Sequence, residues 1–237
     1  MLPPPDPARS WPHNSLAVNG FPPPQGGRSW RRRHSAAGVV AVLGLLLGAC
    51  SDGNIVASDA QQLYVRLPSD WTVHGAQAVE TGNPFFRGMD VSPEAFFKGA
   101  SASPHPKPSD IFSASGYPWA IIETSVLTGA QQMQMSVEGL SNVLIPIDQL
   151  AQQGATFQQL FQPQVLVKGA LHGSLVAFEY GAGPDTAFDY RQATWVNNAT
   201  TKAWVLIVGC SPACYEAQQA TISRVIDSFY VSDRGAS

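Results

Sequence analysis

The stretch Ala203-Trp204-Val205-Leu206-Ile207-Val208-Gly209-Cys210-Ser211-Pro212 decides the fold. Its first six residues are apolar without alternation, which predicts a central strand covered on both faces. Ser211 reads as an N-cap and Pro212 as the first residue of a helix, where a missing N–H costs nothing. Beyond it, Tyr215, Ile222, Val225, Ile226 and Phe229 fall on one helical stripe, suited to packing on the sheet.

Working outward, residues 188–196 alternate in character, and Asn197-Asn198-Ala199-Thr200-Thr201 turns into the central strand. Residues 165–167 and 175–180 read as a hairpin about a turn at Leu171-His172-Gly173, and Gly181-Ala182-Gly183-Pro184-Asp185 as a loop. Residues 119–127 form another strand. Residues 133–161 read as largely helical, with Ile147, Leu150 and Ala151 on one face and Phe157, Leu160 and Phe161 on another after a break near Gly154. Near the front, Leu63, Val65 and Leu67 alternate with Tyr64 and Arg66 as a strand, Pro68-Ser69-Asp70 turns, and Trp71-Thr72-Val73-His74 opens a second. Gly82-Asn83-Pro84 breaks the pattern, and residues 101–109, with Pro104, Pro106 and Pro108, form a surface loop.

Two short motifs bracket this region: Leu67-Pro68-Ser69-Asp70-Trp71 after the first strand and Ser228-Phe229-Tyr230-Val231 after the closing helix. Together with a central helix and a long antiparallel hairpin, they resemble the PsbP-like α/β sandwich. Similar domains occur in the extrinsic photosystem II subunit and in bacterial envelope lipoproteins, actinobacterial ones among them. The resemblance covers about residues 60–232. It implies an α+β fold, an antiparallel sheet flanked by helices in a single domain. It also implies a scaffold or adaptor that binds another envelope component, with no shared catalytic residues to carry over.

The N-terminal part has a different character. Arg31, Arg32 and Arg33 lead into an apolar run from Ala36 to Leu47, which ends Leu47-Gly48-Ala49-Cys50. A basic start, a short apolar segment and small residues describe a secretory signal, too short at this length for the ~20 residues of a spanning helix. With Cys50 next, the stretch resembles a bacterial lipobox, which implies cleavage before Cys50 and a lipid on its thiol. Export by the general secretory route is expected, because polar His34 and Ser35 follow the arginines where a twin-arginine signal carries apolar residues. The expected organisation is a proline-rich, disordered extension at 1–30, a signal at 31–49, a lipidated tether at 50–60 and the α+β domain at 61–233. Eight prolines in the extension leave little to bury, and the natural start is expected nearer Val18 or later.

With Cys50 so assigned, Cys210 and Cys214 remain. In an oxidising compartment they are expected to form a structural disulfide tying strand to helix; a reactive dithiol, the alternative, favours two intervening residues. Five of the 14 Lys+Arg and one of the 17 Asp+Glu precede Cys50, so the mature part carries 9 basic and 16 acidic residues, a net charge of −7. That argues against nucleic acid, which needs a clustered basic face, and leaves attachment to the membrane to the lipid anchor.

No nucleophile elbow, glycine-rich phosphate loop or metal-ligand spacing is present, so no catalytic residue, cofactor or metal is assigned. His172 beside Ser174 is expected to be a solvent-facing turn histidine, with the two side chains pointing apart. Glu179, Asp185 and Asp189 could pair for acid–base work, but cross-strand pairing with Lys168, Arg191 and Lys202 is the expected explanation. The leading expectation is a lipid-anchored scaffold recruiting an envelope protein. The alternative is a carrier holding a lipid or small apolar molecule among Phe85, Phe86, Phe96, Phe97, Trp119 and Trp195; a hydrolase is third.

Overall fold

A computed structural model describes residues 53–87, 95–133, 136, 139–183 and 186–232, all within one compact unit spanning 50–237. Cys50, the signal, the extension and Asp185 lie outside the described residues. In chain order the elements are β1 (Asn54–Ser58), β2 (Leu63–Leu67), β3 (Thr72–Gly75), α1 (Ala76–Gly82), β4 (Phe96–Ser101) and β5 (Trp119–Val126). Then come α2 (Gly129–Met133), α3 (Ile147–Gln152), β6 (Thr156–Gln159), β7 (Gln164–Lys168), β8 (Leu171–Gly181), β9 (Phe188–Asn197) and β10 (Lys202–Cys210). The chain closes with α4 (Pro212–Ala217), α5 (Gln219–Asp227) and β11 (Tyr230–Val231).

The large sheet runs β3-β4-β5-β10-β9-β8, with β6 and β7 both on the outer side of β8; β1-β2-β11 form a small second sheet. Every pairing is antiparallel. The strand predicted to be covered on both faces is β10, at the centre. Trp204, Leu206, Val208 and Cys210 enter one core, and Val205 and Ile207 enter the other. The first core lies under α4, α5 and the small sheet, where Ile222, Val225, Ile226 and Phe229 bury the predicted stripe. The second lies under α1, the 3-10 turn at Pro108–Asp110 and the 139–150 segment. The expected α+β sandwich is therefore the fold, with a second covered face.

The two bracketing motifs meet in space. Tyr230 and Val231 pair with Tyr64 and Leu63, and the Arg66 amide donates to Ser228 Oγ at 2.9 Å. Trp71, Phe229 and Val231 then share the first core. These are packing motifs: each fastens the small sheet and closing helix to the large one.

Four local expectations are corrected. Residues 133–161 are not largely helical: besides the short α2 and α3 there are a 3-10 turn at Gly139–Asn142 and the strand β6. Gly154, at φ +96°, ends α3, and Thr156 and Phe157, good strand formers, extend the edge of β8. Phe157 then packs with the second core and Leu160 with the first, so they do not share a face. The hairpin turn sits at Gly169-Ala170, because Gly169 accepts φ +54°; His172 and Gly173 belong to β8. The tether expected over 50–60 already contains β1, paired along β2 through a turn with Gln62 at φ +57°. The closing helix is two, α4 and α5, divided at Gln218, and Ser211 caps with its carbonyl, which accepts the Tyr215 amide, rather than with its hydroxyl.

Candidate functional site

The sequence-predicted residues separate cleanly once placed. Cys210 and Cys214 are bonded, with Cα atoms 5.8 Å apart, and both are buried. The bridge joins the last residue of β10 to the first turn of α4. Burial keeps partner thiols away, which suits a structural bond rather than an exchange pair. A loop this small should contribute about 2 kcal/mol at most by restricting the unfolded chain. Replacing both cysteines by alanine is therefore expected to lower the urea midpoint modestly and leave a folded domain; complete unfolding would contradict this.

His172 and Ser174 lie on the same face of β8, opposite Val196 and Thr194, not pointing apart as a turn would place them. Ser174 is fully buried, so no substrate reaches its hydroxyl. Glu179 and Asp189 stand directly opposite each other on the other face of the sheet. Burial first, and then the neighbouring Glu179, push the Asp189 carboxyl up to about 6. The expected charge pairing does not neutralise them. Arg191 donates to Tyr215 OH and Ser223 Oγ, both at 2.8 Å. Lys168 donates to the Val231 carbonyl and lies 3.3 Å from the Tyr230 ring centroid. Lys202 lies over Trp204. Because successive side chains alternate across a strand, His172 and Asp189 have the sheet between them and cannot act on one substrate.

The aromatic residues divide as well. Phe86, Phe97 and Trp119 are buried in the second core with Phe85 packed against it, whereas Phe96 and Trp195 pack on the first. In the second core Phe112 is the hub, its ring centroid 4.2 Å from Phe85, 4.8 Å from Phe188 and 5.8 Å from Trp119. Phe188 and Trp119 meet it edge to face and Phe85 at a tilt of 43°. They fill a core.

Two features escaped sequence reading. A polar row crosses the second face: Gln192 Nε2 donates to the carbonyls of Leu140 and Ser141 and to Thr194 Oγ1. It clamps the 139–142 turn onto the sheet. In the same layer Glu123 Oε2, Ser174 Oγ, Tyr190 OH and Gln192 Oε1 are buried without a hydrogen-bond partner among the described residues. Burial alone pushes the Glu123 carboxyl up to about 7. Between the apolar run 119–122 and the polar Thr124 and Ser125, Glu123 carries no local sign of which face it enters.

The second feature is a groove of about 430 Å³ where the edge of the small sheet meets the end of the large one. β1 supplies Ile55, β3 supplies Val73, and β4 supplies Phe96 and Lys98, with Trp71 behind them. Ile55 and Val73 are exposed and Trp71 is buried. Asn54 Nδ2 donates to the carbonyls of Ser69 and Trp71, tying β1 to the turn before β3. The wall is mixed: Ile55, Val73 and Phe96 make an apolar strip, and Asn54, Thr72 and Lys98 line it beside them, so it suits a chain with an apolar part and an anionic end. Its signal was faint: Ile55 sits among polar residues read as tether.

No protein-family profile matches the sequence, and no curated protein matches it. Among solved structures, the chain aligns with cyanobacterial PsbP (CyanoP) from Synechocystis at a TM-score of 0.51 and 10% identity, covering 80% of this chain and 99% of that one. It aligns with the Ran-binding protein Mog1p of Saccharomyces cerevisiae at 0.45 and 10%, covering 78% and 97%. With LpqN, involved in cell envelope biogenesis of Mycobacterium tuberculosis, the values are 0.40 and 13%, covering 76% and 85%. The CyanoP likeness is one of fold: this chain has the PsbP-like α+β architecture.

Proposed function

We propose that this chain is an exported, non-catalytic scaffold, held to the cell membrane by a lipid on Cys50 and recruiting a protein of the cell envelope at the outer edge of β7. The observation that carries the reading is that edge. Val165 is 64% and Val167 76% exposed, side by side on one face of a strand whose outer backbone groups have no neighbouring strand among the described residues. Exposed apolar edge strands template pairing with another chain; between Pro163 and Lys168 this edge offers backbone hydrogen bonds and alternate apolar contacts to an extended segment. The lipobox-like Leu47-Gly48-Ala49-Cys50 supports the anchor. The separation of His172 from Asp189 across the sheet speaks against the hydrolase, and the packed rings around Phe112 speak against the carrier with an aromatic pocket.

The test places a photo-crosslinking residue at Val167 in the full-length protein, expressed in a bacterium with lipoprotein export. A discrete protein adduct is expected, lost when Val165→Lys removes the neighbouring apolar contact. An adduct pattern no different from that of a probe at exposed Tyr117 would sink the assignment of this edge.

A further inference from the structure

The groove between β1, β3 and β4 stands at the opposite end of the large sheet from β7. Six strand intervals of ~4.8 Å separate β3 from β7, roughly 30 Å in all. What places the groove is its distance from Cys50 along the chain. Asn54, on its wall, follows Cys50 by four residues, and a fully extended chain spans at most ~3.6 Å per residue. The Cys50 Cα therefore lies within about 14 Å of Asn54, wherever the intervening residues run. If Cys50 carries the lipid, as proposed above, the groove is held close to the membrane surface, within reach of lipid headgroups.

We infer that this groove binds a phospholipid of the anchoring membrane, with an acyl chain laid along Ile55, Val73 and Phe96 and the phosphate met by Lys98. The chemistry matches on three counts. The rim exposes apolar side chains rather than burying them, as a surface that dips into the acyl boundary does. Lys98 supplies a cation beside the apolar strip of Ile55, Val73 and Phe96, with Asn54 and Thr72 as polar neighbours. And the mature chain, at a net −7, gains nothing from general attraction to an anionic surface, so contact with lipid has to be local and held by the tether. A short tether raises the effective concentration of membrane lipid at the site to the millimolar range. A groove too weak to hold lipid in solution is occupied once anchored.

The inference rests on the lipid at Cys50, and the experiment separates the two. The mature protein, extracted from its own membrane in mild detergent and weighed intact, is reconstituted into phosphatidylcholine vesicles containing phosphatidylglycerol that bears a photoactivatable acyl chain. After illumination, adducts are mapped by peptide mass spectrometry. Adducts concentrated on residues 54–57 and 71–73, and lost in the Ile55→Ser, Val73→Ser double variant that stays on the vesicles, are the expected result. An acylated Cys50 with adducts spread evenly, or gathered on β7, overturns the groove and leaves the anchor standing. A protein that is unacylated at Cys50 overturns the anchor, and the inference falls with it.

Discussion

Replacing Glu123 by glutamine is expected to make the domain more stable above pH 7 and to remove most of a fall in stability that the native protein shows between about pH 4.5 and 7. The cause is the position of Glu123 on β5, between Phe97 and Val205 in register, with Oε2 buried and without a partner among the described residues. Burial raises its carboxyl from 4.5 to about 7 in the folded protein. Below pH 4.5 the carboxyl is protonated both folded and unfolded, and it costs little. Between 4.5 and about 7 the unfolded chain releases the proton while the folded chain keeps it, so stability falls as pH rises. Above about 7 the loss is complete, about 3 kcal/mol at ~1.4 kcal/mol per pH unit. Urea unfolding of native and Glu123→Gln proteins at pH 5 and pH 8 checks this. The difference between them isolates Glu123 from Asp189, which acts with the same sign, and from His74, whose lowered pKa acts with the opposite one. Equal pH dependence in both proteins would rule the account out.

The second large effect is expected at Phe112. Its ring touches Phe85, Phe86, Trp119, Tyr180, Phe188 and Tyr190. Its backbone sits at φ +52°, a conformation that bulky residues rarely adopt. The surrounding rings hold it there, against a local cost of ~1–3 kcal/mol. Phe112→Ala keeps the unfavourable φ and deletes the hub, so a loss of ~3–5 kcal/mol is expected. If the core is filled as described, the cavity it leaves is lined by rings and stays dry, and benzene should restore part of the lost thermal stability. A loss below 1 kcal/mol, or a native protein stabilised by benzene to the same degree, would mean that the aromatic layer is already hollow.

How much of this was legible beforehand depends on the range of the interaction. β10 was readable because a run covered on both faces needs no information beyond its own composition. The α4–α5 stripe was readable because 3.6-residue periodicity is local. The bracketing motifs around Trp71 and Phe229 were readable as signals, though not as the contact they make. Residues 133–161 were misread. Phe157 and Leu160 fit a helical spacing, and only the open edge of β8 turns the segment into β6, a choice made by a partner about twenty residues downstream. The face assignments of Glu123, Gln192 and Thr194 were equally hidden: β5 and β9 carry polar residues on both faces, so none of them declares which core it enters.

By itself, then, the sequence determined the central strand, the packing helix and the disulfide spacing, all features written within a few residues of one another. The tertiary structure alone decided that His172 and Asp189 face apart, that six aromatics divide between two cores, and that Val165 and Val167 end a sheet whose other end forms a groove with Asn54 on its wall. The physical reason is that strand order and register are set by contacts far apart in the chain. A shift of one residue would reverse every face.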